Sequence, residues 1–72
     1  MTTTYYTLAI YNIEHNKWYA EFGDYDKELV RDEMNYHNEG YEAILMSNMK
    51  IVKTNHDQQS IDQAIAKLNG SK

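Results

Sequence analysis

The chain has 72 residues, no cysteine and a formal net charge of −4 at pH 7. This length predicts one domain over residues 1–72, with 4–69 ordered, whose small core leaves little room for a deep substrate cleft or a buried cofactor. The lack of cysteine excludes disulfides and thiolate metal sites and favours a reducing cytoplasm. No apolar stretch approaches the roughly 20 residues that span a bilayer, and no signal peptide is indicated, so no membrane role is predicted.

The charge is concentrated in the middle of the chain. Residues 21–42 contain eight acidic side chains against Lys27 and Arg31, a net charge of −6, whereas residues 1–20 are neutral and residues 43–72 carry +2. Nucleic-acid binding requires lysine and arginine to neutralise phosphates, so direct nucleic-acid binding is not expected. The favoured partner is a protein with a basic patch.

The first two predicted elements are strands. Thr4–Ile13 alternates between two sets of side chains, which is typical of a strand with one buried face. A second alternating run, Trp18–Phe22, is predicted to place Trp18, Ala20 and Phe22 on one face. The four polar residues between the runs have the length of a hairpin loop, so the two strands are predicted to pair antiparallel.

The third predicted element is an acidic helix. Gly23 is predicted to end the second strand, and Asp24 or Asp26 to cap a helix that runs to about Asn38 and stops at Gly40. At 3.6 residues per turn, one side of this helix collects the residues predicted to face inward. They are Leu29, Val30, Met34, Tyr36 and His37.

The C-terminal part predicts one strand and one helix. Residues 41–46 are compatible with either a strand or a helical turn, and Met49–Thr54 reads as a strand. Ser60 and Gln63 match a capping box at the start of an amphipathic helix that ends at Gly70. The order β-β-α-β-α with a right-handed crossover predicts an α+β fold: a three-stranded antiparallel or mixed sheet in order 2-1-3, with two helices packed on one face.

Carboxylates on the predicted first helix form the main candidate site. Asp24, Glu28 and Asp32 are spaced i, i+4, i+8 on its outer side, so they are predicted to form a ridge. Repulsion between like charges and favourable interaction with the helix dipole are of similar size, about 0.2–1 kcal/mol each, so stability neither requires nor forbids the ridge. It is either a solvated helix face or a surface that binds a partner.

Glu33 is predicted on the inward side of the same helix, where a carboxylate needs a polar partner. The candidate partners are His37 one turn later, the indole N–H of Trp18, and a tyrosine hydroxyl of the hairpin. A structural role at the edge of the core is predicted for Glu33, and its replacement is expected mainly to lower the melting temperature.

Motifs for catalysis and metal binding do not occur in the sequence. Asp24–Glu28 resembles the start of a calcium loop, but Leu29 stands where a glycine is needed and Asn35 where a glutamate is needed. The histidines lack the spacing of metal ligands, and no phosphate-binding loop or nucleophile motif is present. The sequence predicts no catalytic residue, no metal site and no cofactor, and an enzyme is not expected.

Seven tyrosines are an unusual number for so short a chain. Tyr5, Tyr11 and Tyr19 are predicted to share the sheet face away from the helices. Such a row fits cross-strand packing, a protein interface or homodimer contact, or base stacking, although base-stacking surfaces usually carry more cations than the lone Lys17 here.

Several segments together resemble a group of short uncharacterised accessory proteins of tailed bacteriophages. They are Trp18–Asp26, Val30, Glu33, Lys50–Thr54 and Ile61–Asn69. The resemblance implies an accessory protein in the cytoplasm of the bacterial host and carries over no binding residue. Two hypotheses follow: a host-takeover or anti-defence factor that binds, and inhibits, a host protein through its acidic helix, or a structural or replication accessory that dimerises through exposed tyrosines.

Overall fold

The computed structural model describes residues 4–40 and 43–70. The predicted order β-β-α-β-α is confirmed, and a single turn of 3-10 helix, Met46–Asn48, precedes the third strand. Of the segment 41–46, residues 41–42 lie outside the described residues and 43–45 have no regular structure. The regular elements are β1 (Tyr5–Asn12), β2 (Lys17–Asp24), α1 (Lys27–Asn38), β3 (Met49–Thr54) and α2 (Gln58–Leu68).

The three strands form one antiparallel sheet in the order β2-β1-β3, as predicted. A tight turn joins β1 to β2 and has Asn16 in the left-handed region at φ 54°. The Asn12 side chain accepts from the backbone N–H of His15 at 3.1 Å, which closes this turn. The chain then crosses through α1 to the other side of β1, so β1 is central and both β2 and β3 are edge strands.

A β-bulge in β2 changes which side chains share a face. Leu8 pairs with Phe22, but its neighbour Ala9 pairs with Ala20, so Glu21 is the extra residue. The bulge moves Phe22 to the opposite face from Ala20. The prediction that Trp18, Ala20 and Phe22 share one face is therefore wrong for Phe22, because strict alternation fails at one inserted residue.

The main core lies between α1 and one face of the sheet. Its buried members are Leu8 and Ile10 of β1, Val30 of α1 and Met49 of β3. Phe22, Tyr19 and Met34 are among the half-buried side chains around this cluster. α1 is therefore held against all three strands by a small apolar cluster.

The second helix packs on the other face of the sheet, so the prediction of two helices on one face is wrong. Thr7 and Ala9 alternate with Leu8 and point away from α1, yet they are only 2% and 0% exposed. The side chains from α2 that approach the sheet, such as Ile61 and Ala64, border recesses lined by Thr7 and Val52 of this second face. The close contacts of α2 are with β2 and β3, and the fold has helix, sheet and helix as three layers.

Both ends of α2 are tied to the rest of the fold. Its cap is Asp57, which accepts from the backbone N–H of Ser60 at 3.3 Å, so the helix starts before the predicted capping box. The Ser60 hydroxyl instead accepts from the N–H of Asn55 at 2.9 Å. At the other end Asn69 accepts from the N–H of Trp18 at 2.6 Å and donates to its carbonyl at 3.2 Å.

Gly23 does not end β2, contrary to the prediction, because the strand continues to Asp24. A Cβ atom on Gly23 would lie 2.6 Å from the ring of Tyr5. That ring also packs edge-on against Tyr25, with centroids 5.0 Å apart. Glycine is required at this position by the close approach of an aromatic ring rather than by a turn.

Candidate protein-binding surface

Helix α1 begins at an acidic cap. Asp26 accepts from the backbone N–H of Glu28 at 2.9 Å, and Asp24 accepts from the N–H of Asp26 at 2.8 Å. The helix ends at Asn38 and is followed by the C-cap Glu39, whose N–H donates to the carbonyls of Asn35 and Tyr36. These bounds match the predicted helix, and of the two candidate caps Asp26 is the one at the N-cap.

The predicted ridge of three carboxylates is reduced to two on the helix. Asp24 is the last residue of β2 and is half-buried, so it does not continue the outer row of α1. Glu28 and Asp32 are exposed on α1. Within residues 4–40 and 43–70, the only carboxylates that lie within 4.0 Å of a basic side-chain nitrogen are the two beside His37, and neither is Glu28 or Asp32.

Two large apolar side chains lie beside these carboxylates. Leu29 is 48% exposed and Tyr36 is 73% exposed. Both were predicted to face inward, and that prediction is wrong. Val30 and Met34 supply the contact with the sheet, and Leu29 and Tyr36 are rotated beyond the arc that it covers.

We define the α1 surface as Glu28, Leu29, Asp32 and Tyr36. At 3.6 residues per turn these four side chains fall within about 100° of the helix circumference. The surface contains two carboxylates, a leucine and a tyrosine, and no lysine or arginine. It is an exposed helix face of mixed acidic and apolar character.

The inner edge of α1 holds a polar cluster. His37 Nε2 lies 3.2 Å from Glu33 Oε2 and 3.6 Å from Glu21 Oε2. The nitrogen is buried, and neither contact has hydrogen-bond geometry. Of the three partners proposed for Glu33, His37 is the one found, and the bulged residue Glu21 joins it from β2.

Tyr19 lies on the same sheet face as this cluster. Partial burial raises the pKa of its phenol above the ordinary value of 10.0, and the negative charge of Glu21 raises it further. Both effects disfavour the phenolate. Tyr19 therefore remains a neutral phenol at physiological pH and is available as a hydrogen-bond donor.

The predicted row of three tyrosines does not form. Cross-strand pairing places Tyr19 beside Ile10 on the α1 side of the sheet and Tyr11 beside Trp18 on the α2 side. Tyr5 alternates with Tyr11 on the α2 side, and all three are half-buried. Because helices cover both faces, no open aromatic sheet face remains among the described residues, and the prediction of one is wrong.

Two further surface features were not predicted from the sequence. The side chains of Ile13 and Leu45, 68% and 67% exposed, border a shallow recess at the hairpin end of the sheet. A larger groove of about 560 Å³ runs between β3 and α2. The groove could not be found without knowing that α2 crosses the second face.

Within the described residues, no group of three or more histidine and carboxylate side chains is arranged to hold a metal ion. No helix in that part of the chain is both long and apolar enough to cross a membrane. Comparisons with known protein families, curated proteins and solved structures gave no match to this chain.

Proposed function

We propose that this protein is a non-enzymatic binding protein whose α1 surface docks onto a basic, partly apolar surface of a protein partner. The observation that carries the proposal is the exposure of Leu29 and Tyr36 beside two carboxylates that form no ion pair within the described residues. Single exposed apolar residues are common on proteins. Two large ones on one helical arc, with carboxylates beside them, fit a recognition helix better than a solvated face.

The side chains of the α1 surface have complementary roles in this proposal. Tyrosine is enriched among residues that dominate binding energy, because it buries a large area at low entropic cost. Leu29 adds apolar area next to it. Glu28 and Asp32 attract a basic partner and fix its orientation, so they contribute mainly to the association rate and to specificity.

We infer the class of partner from the sequence resemblance. Similarity to short proteins of tailed bacteriophages supports a host protein as the partner, with inhibition as the consequence in host takeover or anti-defence. The net charge of −6 in residues 21–42 supports a basic binding surface on that protein.

The proposal is tested by affinity capture from a bacterial lysate with four matched baits. They are the unaltered chain, Glu28→Lys/Asp32→Lys, Leu29→Ala/Tyr36→Ala, and the control Glu14→Lys/Asp62→Lys. The control has the same change in net charge as the first variant, but its exposed sites lie on the hairpin loop and α2. Capture is compared at about 50 mM and about 500 mM salt, because salt screens exposed charges.

We expect one captured protein with the unaltered chain and the control, and loss of that protein with both α1 variants. Retention by Glu28→Lys/Asp32→Lys at low salt would contradict the role of the carboxylates. Sedimentation of the unaltered chain provides a second readout. Salt-resistant self-association that survives the α1 substitutions would instead support a homodimer through other residues.

A further inference from the structure

Strand β3 has a free edge. It pairs with β1 on one side, and within the described residues no strand pairs with its other side. The backbone N–H and C=O groups along an open edge can pair with another extended chain. β3 is six residues long, which is enough for a short added strand.

The groove between β3 and α2 runs beside this edge. Val52, Ala64 and Leu68 provide its apolar part, and Lys53 and Lys67 also line it. A second recess of about 370 Å³ shares Lys53 and Thr54 with the groove and extends it along the end of β3. A peptide paired with β3 would therefore find an apolar channel for every second side chain.

The groove is cationic in a protein that is acidic overall. None of its lining residues is aspartate or glutamate. The two carboxylates of α2 and its cap have other partners, since Asp57 accepts from the N–H of Ser60 and Asp62 accepts from Gln58. The groove is thus complementary to a ligand that combines apolar and acidic side chains.

From these observations we propose that the β3–α2 groove binds an acidic peptide segment, which adds to the sheet as a strand along β3. Main-chain hydrogen bonds to the β3 edge provide affinity, apolar side chains enter the groove, and carboxylates lie near Lys67. A second copy of β3 would fit less well, because its Lys50 and Lys53 would meet the same lysines. This site is independent of the α1 surface.

Selection of peptides tests the proposal. The full chain is used as bait for a displayed library of random decapeptides, and the enriched peptides are synthesised for binding measurements. We expect enrichment of sequences in which aspartate or glutamate alternates with apolar residues. Their affinity should fall at least tenfold with Lys67→Glu and to a smaller extent with Lys67→Ala, which removes the charge without reversing it.

The matched control is Lys17→Glu, which reverses an exposed lysine on the opposite edge strand, β2, and should leave affinity unchanged. Amide NMR spectra confirm folding of each variant and map the peptide, with shifts expected along residues 49–54. No enrichment, enrichment without acidic residues, equal binding to Lys67→Glu, or shifts on α1 would each overturn the proposal. Concentration-dependent shifts of β3 in the absence of peptide would assign the edge to a second copy and overturn it as well.

Discussion

Thr7 is buried, although the alternation of side chains along β1 predicts that it is exposed. Alternation along β1 assigns Leu8 and Ile10 to the core and leaves Thr7 on the outer face, but α2 covers that face. Thr7 is 2% exposed, and its hydroxyl has no hydrogen-bond partner. A buried hydroxyl without a partner lowers stability.

Thr7→Val should therefore stabilise the fold. Valine keeps the shape and the β-branched side chain while it removes the unpaired hydroxyl. We expect the free energy of unfolding in urea to rise by about 1 kcal/mol, equivalent to about 4–8 °C in melting temperature for a domain of this size. Thr4→Val, at an exposed position, is the control and should change little. A loss of stability in Thr7→Val would show that the hydroxyl is bonded in solution.

Tyr19 gives a prediction about pH. Its pKa is raised in the folded chain, so the folded state binds the phenolic proton more tightly than the unfolded state does. The resulting stabilisation is complete below the unfolded-state value near 10.0 and is lost as the pH rises through the folded-state value. Tyr19→Phe should lose less stability than the unaltered chain between pH 9 and pH 11, as measured by urea unfolding. Tyr36→Phe, which removes an exposed phenol, is the control; equal slopes for all three proteins would refute the assignment.

For helix α1, the sequence predicts the first and last residues better than it predicts which side chains face the sheet. Its acidic cap and its end near Asn38 follow from local chemistry that the sequence contains. Which side chains touch the sheet depends on how narrow the contact is. Only Val30 is fully buried on α1. The side of the helix that contacts the sheet is therefore narrower than the sequence pattern predicts, and Leu29 and Tyr36 lie outside it.

A substitution of Glu33 tests whether the inner edge of α1 contributes to stability without contributing to partner binding. Its carboxylate lies 3.2 Å from His37, at the i, i+4 spacing that contributes about 0.2–0.5 kcal/mol in helices. Glu33→Ala should lower the melting temperature by about 1–4 °C and leave partner capture unchanged. Thermal unfolding followed by circular dichroism measures the first effect. If Glu33→Ala abolished capture while the fold persisted, the inner edge of α1 would belong to the binding site.

At the scale of the whole molecule, element order and strand order could be predicted, because hairpin length and the crossover rule determine them. The placement of α2 could not, since the face it covers carries small and polar side chains, such as Ala9 and Thr7, that resemble an outer surface. The alternating sequence pattern also does not predict the bulge at Glu21. These two features explain why a tyrosine face was predicted and did not form.

Placing the helices on opposite faces separates the two proposed binding surfaces. The α1 surface is acidic and lies on one side of the sheet, whereas the β3–α2 groove is lined by lysines and lies on the other. We therefore expect substitutions at either surface to leave the other intact. The two proposals can therefore fail or succeed independently.

The most direct test of partner binding by the α1 surface is the dissociation constant of the captured partner, measured by titration calorimetry against the four bait proteins. We predict that Glu28→Lys/Asp32→Lys and Leu29→Ala/Tyr36→Ala each raise the Kd by about tenfold or more, equivalent to at least about 1.4 kcal/mol. The Glu14→Lys/Asp62→Lys control should stay within about twofold of the unaltered chain. A Kd that is the same for all four proteins would show that the α1 surface does not bind the partner.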